Sequence, residues 1–369
     1  MSSTKKTPTT LSTLSLGSLS NDVSLPDDAQ DTISSVSWSP VSNHLAAASW
    51  DGKIRVYDVN ANNRTANGTA MFNAVGPVLG CDWAKAGVDG VGIDAGNQDG
   101  TIIAAGGADK SLHILHLPTG QQATLSSHEK PIRSVRFVEI PESNTHIVAS
   151  GSWDKTVKLW DLRQQSPVTT IMCEDRVYSM DAKSLLFVVA TAERHIHLIN
   201  LRRPTVISRT LESPLKHQTK VVDVFPDGKG WATASIEGKC SFNAVDKEED
   251  RKINFKFRCH RGPPELKTKI TKVWSVNDVR FHPVQHTVLV TAGSDGTFHF
   301  WDRIAHARLQ AYPSTGSPIT TTAFNHDGSL FAYALGYDWS KGCAANSQEI
   351  QTKLMLHSVT VEESTPKSK

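Results

Sequence analysis

The chain has 369 residues with 39 Lys and Arg against 37 Asp and Glu, a net charge of +2, 38 % hydrophobic and 21 % charged residues, the balance of an ordinary globular protein. No apolar run approaches the roughly eighteen residues needed to cross a bilayer, so no membrane partner is expected. Cys81, Cys173, Cys240, Cys259 and Cys343 lie far apart without a Cys-x-x-Cys pair, which supports neither a zinc site nor a disulfide framework and points to reduced thiols in the cytosol or nucleus.

Residues 1–20 are Ser/Thr-rich with only two lysines and lack the compact apolar core of a secretory signal; they read as a flexible arm. Asp22-Val23-Ser24-Leu25 then alternates polar and apolar before Pro26, as an outer strand would. From Ile33 onward a frame recurs seven times, in which an aliphatic residue is followed by a small or apolar residue and usually an aromatic one. It starts at Ile33, Val78, Ile132, Val177, Lys220, Val276 and Ile319. Each frame is trailed by a loop acid and a short apolar strand. The acids Asp51, Asp109, Asp154, Glu193, Glu237, Asp295 and Asp338 are 58, 45, 39, 44, 58 and 43 residues apart, close to the period of a four-stranded propeller blade.

Helical repeats of that length would need apolar residues three and four apart over a dozen positions. Here apolar residues alternate over five to eight positions and stop at Gly, Pro, Asn or Asp. A four-stranded sheet is stable only when its faces are covered and its edges managed. The prediction is an all-β, seven-bladed propeller over residues 21–360, closed by an N-terminal strand joining the last blade, with a disordered tail at 361–369.

In the third blade, His128, Ser150, Asp154 and Trp160 occupy the positions where WD repeats run a buried polar chain from indole to carboxylate, tolerable only if every member is paired. Its expected role is structural, since no Gly-x-Ser-x-Gly turn frames the serine as a nucleophile. Leu115-His116, Ile199-Asn200 and Asn243-Ala244 replace Trp-Asp elsewhere, so those blades are expected to lean on apolar packing. The Gly87-to-Gly100 segment reads as a flexible loop without the Gly-Lys-Ser/Thr of a phosphate cradle, and no His-x-x-x-His lies on a helix. No catalysis, cofactor or metal is expected.

Loops between second and third strands build one rim. They carry Trp50-Asp51-Gly52-Lys53, Asp109-Lys110, Trp153-Asp154-Lys155, Glu193-Arg194-His195, Glu237-Gly238-Lys239 and Asp338-Trp339-Ser340-Lys341. If each acid turns inward to hold its loop, basic and aromatic neighbours are left to attract acidic peptides. Between blades five and six an insertion holds eight Lys/Arg against one acid from Arg251 to Lys272, with Phe255, Phe257 and Arg258 among them. Cations neutralise phosphates and exposed rings stack on unpaired bases, although one of two alternating Phe must face the core.

Ser213-Pro214-Leu215-Lys216-His217, Phe255-Lys256-Phe257-Arg258-Cys259-His260-Arg261, Gly293-Ser294-Asp295-Gly296 and Tyr337-Asp338-Trp339-Ser340-Lys341-Gly342 resemble the mRNA export factor family of the nuclear pore, the WD-repeat partners of nucleoporins bearing a GLEBS segment. The resemblance spans roughly residues 22–360. The related spindle-checkpoint propeller, an adaptor for GLEBS-type segments of checkpoint kinases, is the alternative; its last blade is more acidic where this chain has Tyr337–Gly342. The resemblance implies a propeller that pairs with a nucleoporin in a heterodimer at the nuclear envelope, with shuttling to the cytoplasm allowed. It further implies a GLEBS rim at Trp50, Lys53, Trp153, Lys155 and Arg194, with Arg194 meeting glutamates, and a groove for single-stranded RNA of messenger ribonucleoprotein at Lys239, Phe257, Arg258, Trp301, Asp302 and Arg303. One basic family position is replaced near His306-Ala307-Arg308.

Overall fold

The computed structural model describes residues 16–26, 29–85, 100–126, 128–141, 143, 147–347 and 350–366. Within them seven four-stranded antiparallel sheets are formed. Blades one to six span 33–73, 78–126, 132–172, 177–212, 219–258 and 276–311, and blade seven spans 319–358 with Val23–Ser24 as its outer strand. The seven sequence frames are the seven inner strands, beginning with Ile33–Trp38 and ending with Ile319–Phe324. The Gly-rich segment of blade two falls at 86–99, outside the described residues. No helix among the described residues is long and apolar enough to cross a membrane.

The core sits between blades rather than inside any one of them. Ile33, Val36 and Trp38 of blade one pack with Ala332, Ala334 and Leu356 of blade seven, and Phe298 and Phe300 of blade six pack with Phe331 and Tyr333 of blade seven. Burial of this kind contributes about 25 cal/mol per Å² of apolar surface.

Polar stitches join the inner strands where apolar packing gives way to the axial channel. The backbone N–H of Phe137 donates to Asp82 of the preceding blade at 2.8 Å, Val224 to Asp181 at 2.7 Å, Phe281 to Asp223 at 2.8 Å and Thr322 to Asp278 at 2.7 Å. Cations balance these carboxylates: Lys183 lies 3.5 Å from Asp181 and 3.1 Å from Asp223, Arg136 lies 3.4 Å from Asp181, and Arg280 bridges Asp223 and Asp278 at 3.5 and 3.4 Å.

The ring closes where Val23 pairs with Leu356 and Ser24 with Met355. The described parts of the arm and the tail, expected to be flexible and disordered respectively, make contacts with the propeller. Leu16 bridges Ala311 and the Gly17 N–H donates to the Ala311 carbonyl at 2.8 Å, so this part of the arm lies along blade six; residues 1–15 lie outside the described residues. Val361–Ser364 forms one helical turn capped by Thr360 and Glu363, with 367–369 outside the described residues. The reason is a buried polar cluster. His357 Nδ1 meets Asp22 at 2.7 Å, Tyr333 donates its hydroxyl to Asp22 at 2.7 Å, and Glu363 accepts from Tyr312 and faces His357.

Burial alone would push the His357 imidazole down, but hydrogen bonds to Asp22 and Glu363 and the charge of both hold its pKa up at about 9. A proton bound more tightly in the folded state stabilises closure fully below the unfolded value of about 6.5, and that contribution fades as pH rises through about 9. Thermal melts should therefore show a fall in Tm between pH 7 and 9.5 that is steeper for the wild type than for His357→Gln; parallel curves would remove His357 from the closure.

Candidate peptide rim and nucleic-acid flank

The loop acids turn inward, with the exception of Glu193, which is exposed. Asp51 takes the Arg55 guanidinium at 2.7 Å and the Gln30 and Lys53 N–H groups, Asp109 takes His113 at 2.7 Å, and Asp154 takes His128 at 2.7 Å. In blade three the chain is complete: His128 Nε2 meets Ser150 Oγ at 2.7 Å, and Trp160 Nε1 donates to the same hydroxyl at 2.7 Å. All three side chains are buried, so Ser150 is closed to any substrate. Burial pushes the His128 imidazole down in pKa, only partly offset by Asp154.

Blade six holds a second such chain that the sequence reading missed. His260 Nδ1 lies 2.9 Å from Asp295, its Nε2 3.0 Å from the Thr291 hydroxyl, and Trp301 Nε1 donates to that hydroxyl at 3.0 Å. The signal was present. Ser150, Asp154 and Trp160 are spaced by four and six positions, as are Thr291, Asp295 and Trp301. Blade five, lacking Trp-Asp, substitutes an amide: Asn243 Nδ2 donates to Thr233 Oγ1 at 3.3 Å. His260, Asp295 and His299 bring donor atoms within 4.8 Å of one another, but both His260 nitrogens are spent within the blade, so the group reads as structural.

On the rim, Trp50 stacks on Trp339 at 4.6 Å and joins blades one and seven. Lys53 is half-buried. Trp153 is half-buried with its indole N–H enclosed and without a partner among the described residues. Lys155, Arg194 and Trp339 adopt φ of 70°, 66° and 61°, the left-handed region that re-aims a side chain at a turn. Lys155 is exposed and sits 3.5 Å from Asp175. Arg194 is more committed than the sequence implied, pairing with Glu212 and donating to the Leu215 carbonyl at 3.0 Å. The rim's positive charge is therefore partly countered by Asp175 and Glu212.

The insertion divides in two. Phe255–Arg258 is the outer strand of blade five, while 261–275 folds back as a hairpin on the rim side, with the Gly262 N–H donating to Lys272 O at 3.0 Å and Glu265 N–H to Ile270 O at 2.9 Å. Leu266 is 92 % and Ile270 63 % exposed on this hairpin, beside Lys267, Lys269 and Lys272, all exposed.

At the flank, Phe257 lies 4.7 Å from Trp301 and 5.3 Å from Phe242, and Phe255 stacks on His306 at 3.9 Å. Lys239 and Arg258 sit opposite each other in register, Arg258 exposed and Lys239 paired with Glu237. Exposed Lys256 and Arg308 extend the basic edge. Two expected groove residues do not line it. Asp302 is buried and accepts the Ile304 N–H at 2.8 Å; Arg303 is buried, lies 4.1 Å over the Phe225 ring and 3.4 Å from Asp227, and burial lowers its pKa. Arg303 holds the lower end of the seam between blades five and six, and Asp302 holds the turn that follows its own strand. Trp301 contributes a half-buried ring while its N–H serves the blade.

Trp301→Phe keeps the ring but removes that donor, so urea unfolding should show a loss of about 1 kcal/mol, whereas exposed Arg258→Ala should leave stability unchanged; equal stability of the two variants would detach Trp301 from the polar chain.

The WD domain, G-beta repeat model matches residues 23–58, 120–161 and 267–302. The chain is 44 % identical over 365 residues to the mRNA export factor GLE2 of Chaetomium thermophilum, covering 98 % of this chain and 97 % of that protein. It is 43 % identical over 353 residues to the Poly(A)+ RNA export protein of Schizosaccharomyces pombe, covering 96 % and 95 %, and 35 % identical over 329 residues to Protein Rae1 of Drosophila melanogaster, covering 87 % and 89 %. With seven blades, their polar chains and these relatives in hand, the chain belongs to the Rae1/Gle2 family of WD-repeat mRNA export factors.

Proposed function

We propose that this propeller is a non-catalytic docking platform of the nuclear pore, which holds a GLEBS-type nucleoporin segment on its rim and single-stranded RNA on the flank of blades five and six during mRNA export. The observation that carries the reading is the flank, where half-buried Phe257 and Trp301 rings lie beside Lys239, Lys256, Arg258 and Arg308. Rings of this kind offer a face to unpaired bases whatever their sequence, and the cations track phosphates. The export-factor names of its relatives support the same direction.

The rim reading is supported by Lys155, Arg194 and the hairpin, whose exposed Leu266 and Ile270 alternate with lysines. An acidic segment with apolar anchors suits that combination, since buried apolar contacts supply affinity and charge complementarity selects the partner. Trp50 and Trp153 lend flat surface between blades. A catalytic role finds no support in Ser150, whose hydroxyl is enclosed by His128 and Trp160.

A GLEBS peptide should bind with salt-sensitive affinity by calorimetry, and Arg194→Glu should weaken it at least tenfold with Tm little changed; unaltered binding would take Arg194 out of the rim. If affinity purification instead recovers checkpoint kinases without nucleoporins, the checkpoint reading replaces this one. Binding of a fluorescent single-stranded RNA should weaken as salt rises. Lys239→Glu should flatten that salt slope by about one and Phe257→Ala should reduce affinity, with peptide binding retained. Wild-type RNA affinity in both variants would overturn the flank site.

A further inference from the structure

All seven inner strands carry a β-bulge at the same place. Pairing with the second strand steps over Ser34, Leu79, Arg133, Tyr178, Lys220, Asn277 and Thr320. A bulge re-aims a side chain, and on the innermost strand of a closed ring the stepped-over residue turns toward the axis. Three of these residues serve as stitches: Ser34 donates to the Val78 carbonyl at 2.5 Å, Thr320 to Ile33 at 2.7 Å and Asn277 to Ile319 at 2.8 Å.

Arg133 and Lys220 are different because they are cations. Arg133 donates to the Leu79 carbonyl at 3.0 Å and Lys220 to Asn277 Oδ1 at 2.9 Å. Among the described residues neither forms an ion pair with a carboxylate. They stand at the same bulge position on the inner strands of blades three and five, with blade four between them, which turns both toward the shared channel, and the charge of Arg133 disfavours that of Lys220. Burial pulls both down in pKa. The acids whose fields reach them are Asp278 and Asp338, and both are already engaged. Asp278 takes the Thr322 N–H and the Arg280 guanidinium; Asp338 takes the Asn277 amide and the Ser294 hydroxyl.

Lower in the channel, Asp82, Asp181 and Asp223 alternate with Arg136, Lys183 and Arg280 around a cavity of about 270 Å³, Asp278 pairs with Arg280, and positive and negative charge nearly balance. At the upper mouth they do not. Two like charges facing one mouth disfavour each other unless an opposite charge meets them. We propose that the upper mouth of the axial channel is an oxyanion seat, in which Arg133 and Lys220 receive one carboxylate or phosphate group. Arginine offers a planar fork to either group and lysine a compact charge. The seat does not depend on the rim or the flank reading.

The test is thermal denaturation of the full chain in inorganic phosphate, in glutarate and in sodium chloride at matched ionic strength. Ligand that binds only the folded state raises Tm by an amount set by the ratio of its free concentration to its Kd. Phosphate or glutarate should raise the wild-type Tm beyond chloride, and the arm with the larger rise identifies the anion. The extra rise should vanish in Arg133→Gln/Lys220→Met, while Arg133→Lys, which keeps the charge, should retain it. Titration of phosphate followed by the Arg133 guanidinium NMR signal should saturate in the wild type and be at least tenfold weaker in Lys220→Met. An equal anion-specific rise in the wild type and the double variant, no rise in either anion, or unchanged phosphate affinity in Lys220→Met would overturn the seat.

Discussion

The structure depends on inner strands being tied to their neighbours through carboxylates. A blade cannot bury its own apolar faces, so each relies on the blades beside it, and the packing weakens at the axis where strands converge on a wet channel. There Asp82, Asp181, Asp223 and Asp278 each accept a backbone N–H from the following blade. A carboxylate accepting a backbone donor makes a stronger bond than a neutral acceptor would. The cations Arg136, Lys183 and Arg280 offset that negative charge in a confined space.

Closure at blade seven uses the same chemistry at the outer edge. A two-residue strand, Val23–Ser24, is too short to hold the ring by its ladder alone. Asp22, Tyr312, Tyr333, His357 and Glu363 converge on that edge and anchor the strand and the last helical turn together. Asp22 stands beside the strand and Glu363 in the helical turn, and both carboxylates meet at His357.

Function in this molecule is a matter of which polar groups the fold leaves over. Arg303, Asp302 and the Trp301 N–H are consumed by the seam and polar chain of blade six, and Arg194 is half consumed by Glu212. Lys155, Lys256, Arg258, Arg308 and the hairpin lysines keep an exposed face. The exposed basic surface is thus narrower than the basic residues of the sequence imply, and concentrated on the hairpin side of the rim and on the outer strand of blade five.

Blade number, strand order and the inward turn of most loop acids were legible in the sequence because they are set by local features: a recurring period, alternation along short strands, and, in the first five blades, an acid two positions before a strand. The His128 chain was legible for the same reason, and that of His260 was missed only because Thr291 stands where Ser150 does and its His lies on a longer connection. The fates of Arg194, Arg303, Arg133 and Lys220 were not legible. Each is decided by a neighbour from another strand or blade, such as Asp227 for Arg303, 76 positions away, or by a bulge that no residue pattern announces. Local periodicity determines a propeller, but whether a given cation is spent or spare is settled only when ring closure brings distant acids within reach.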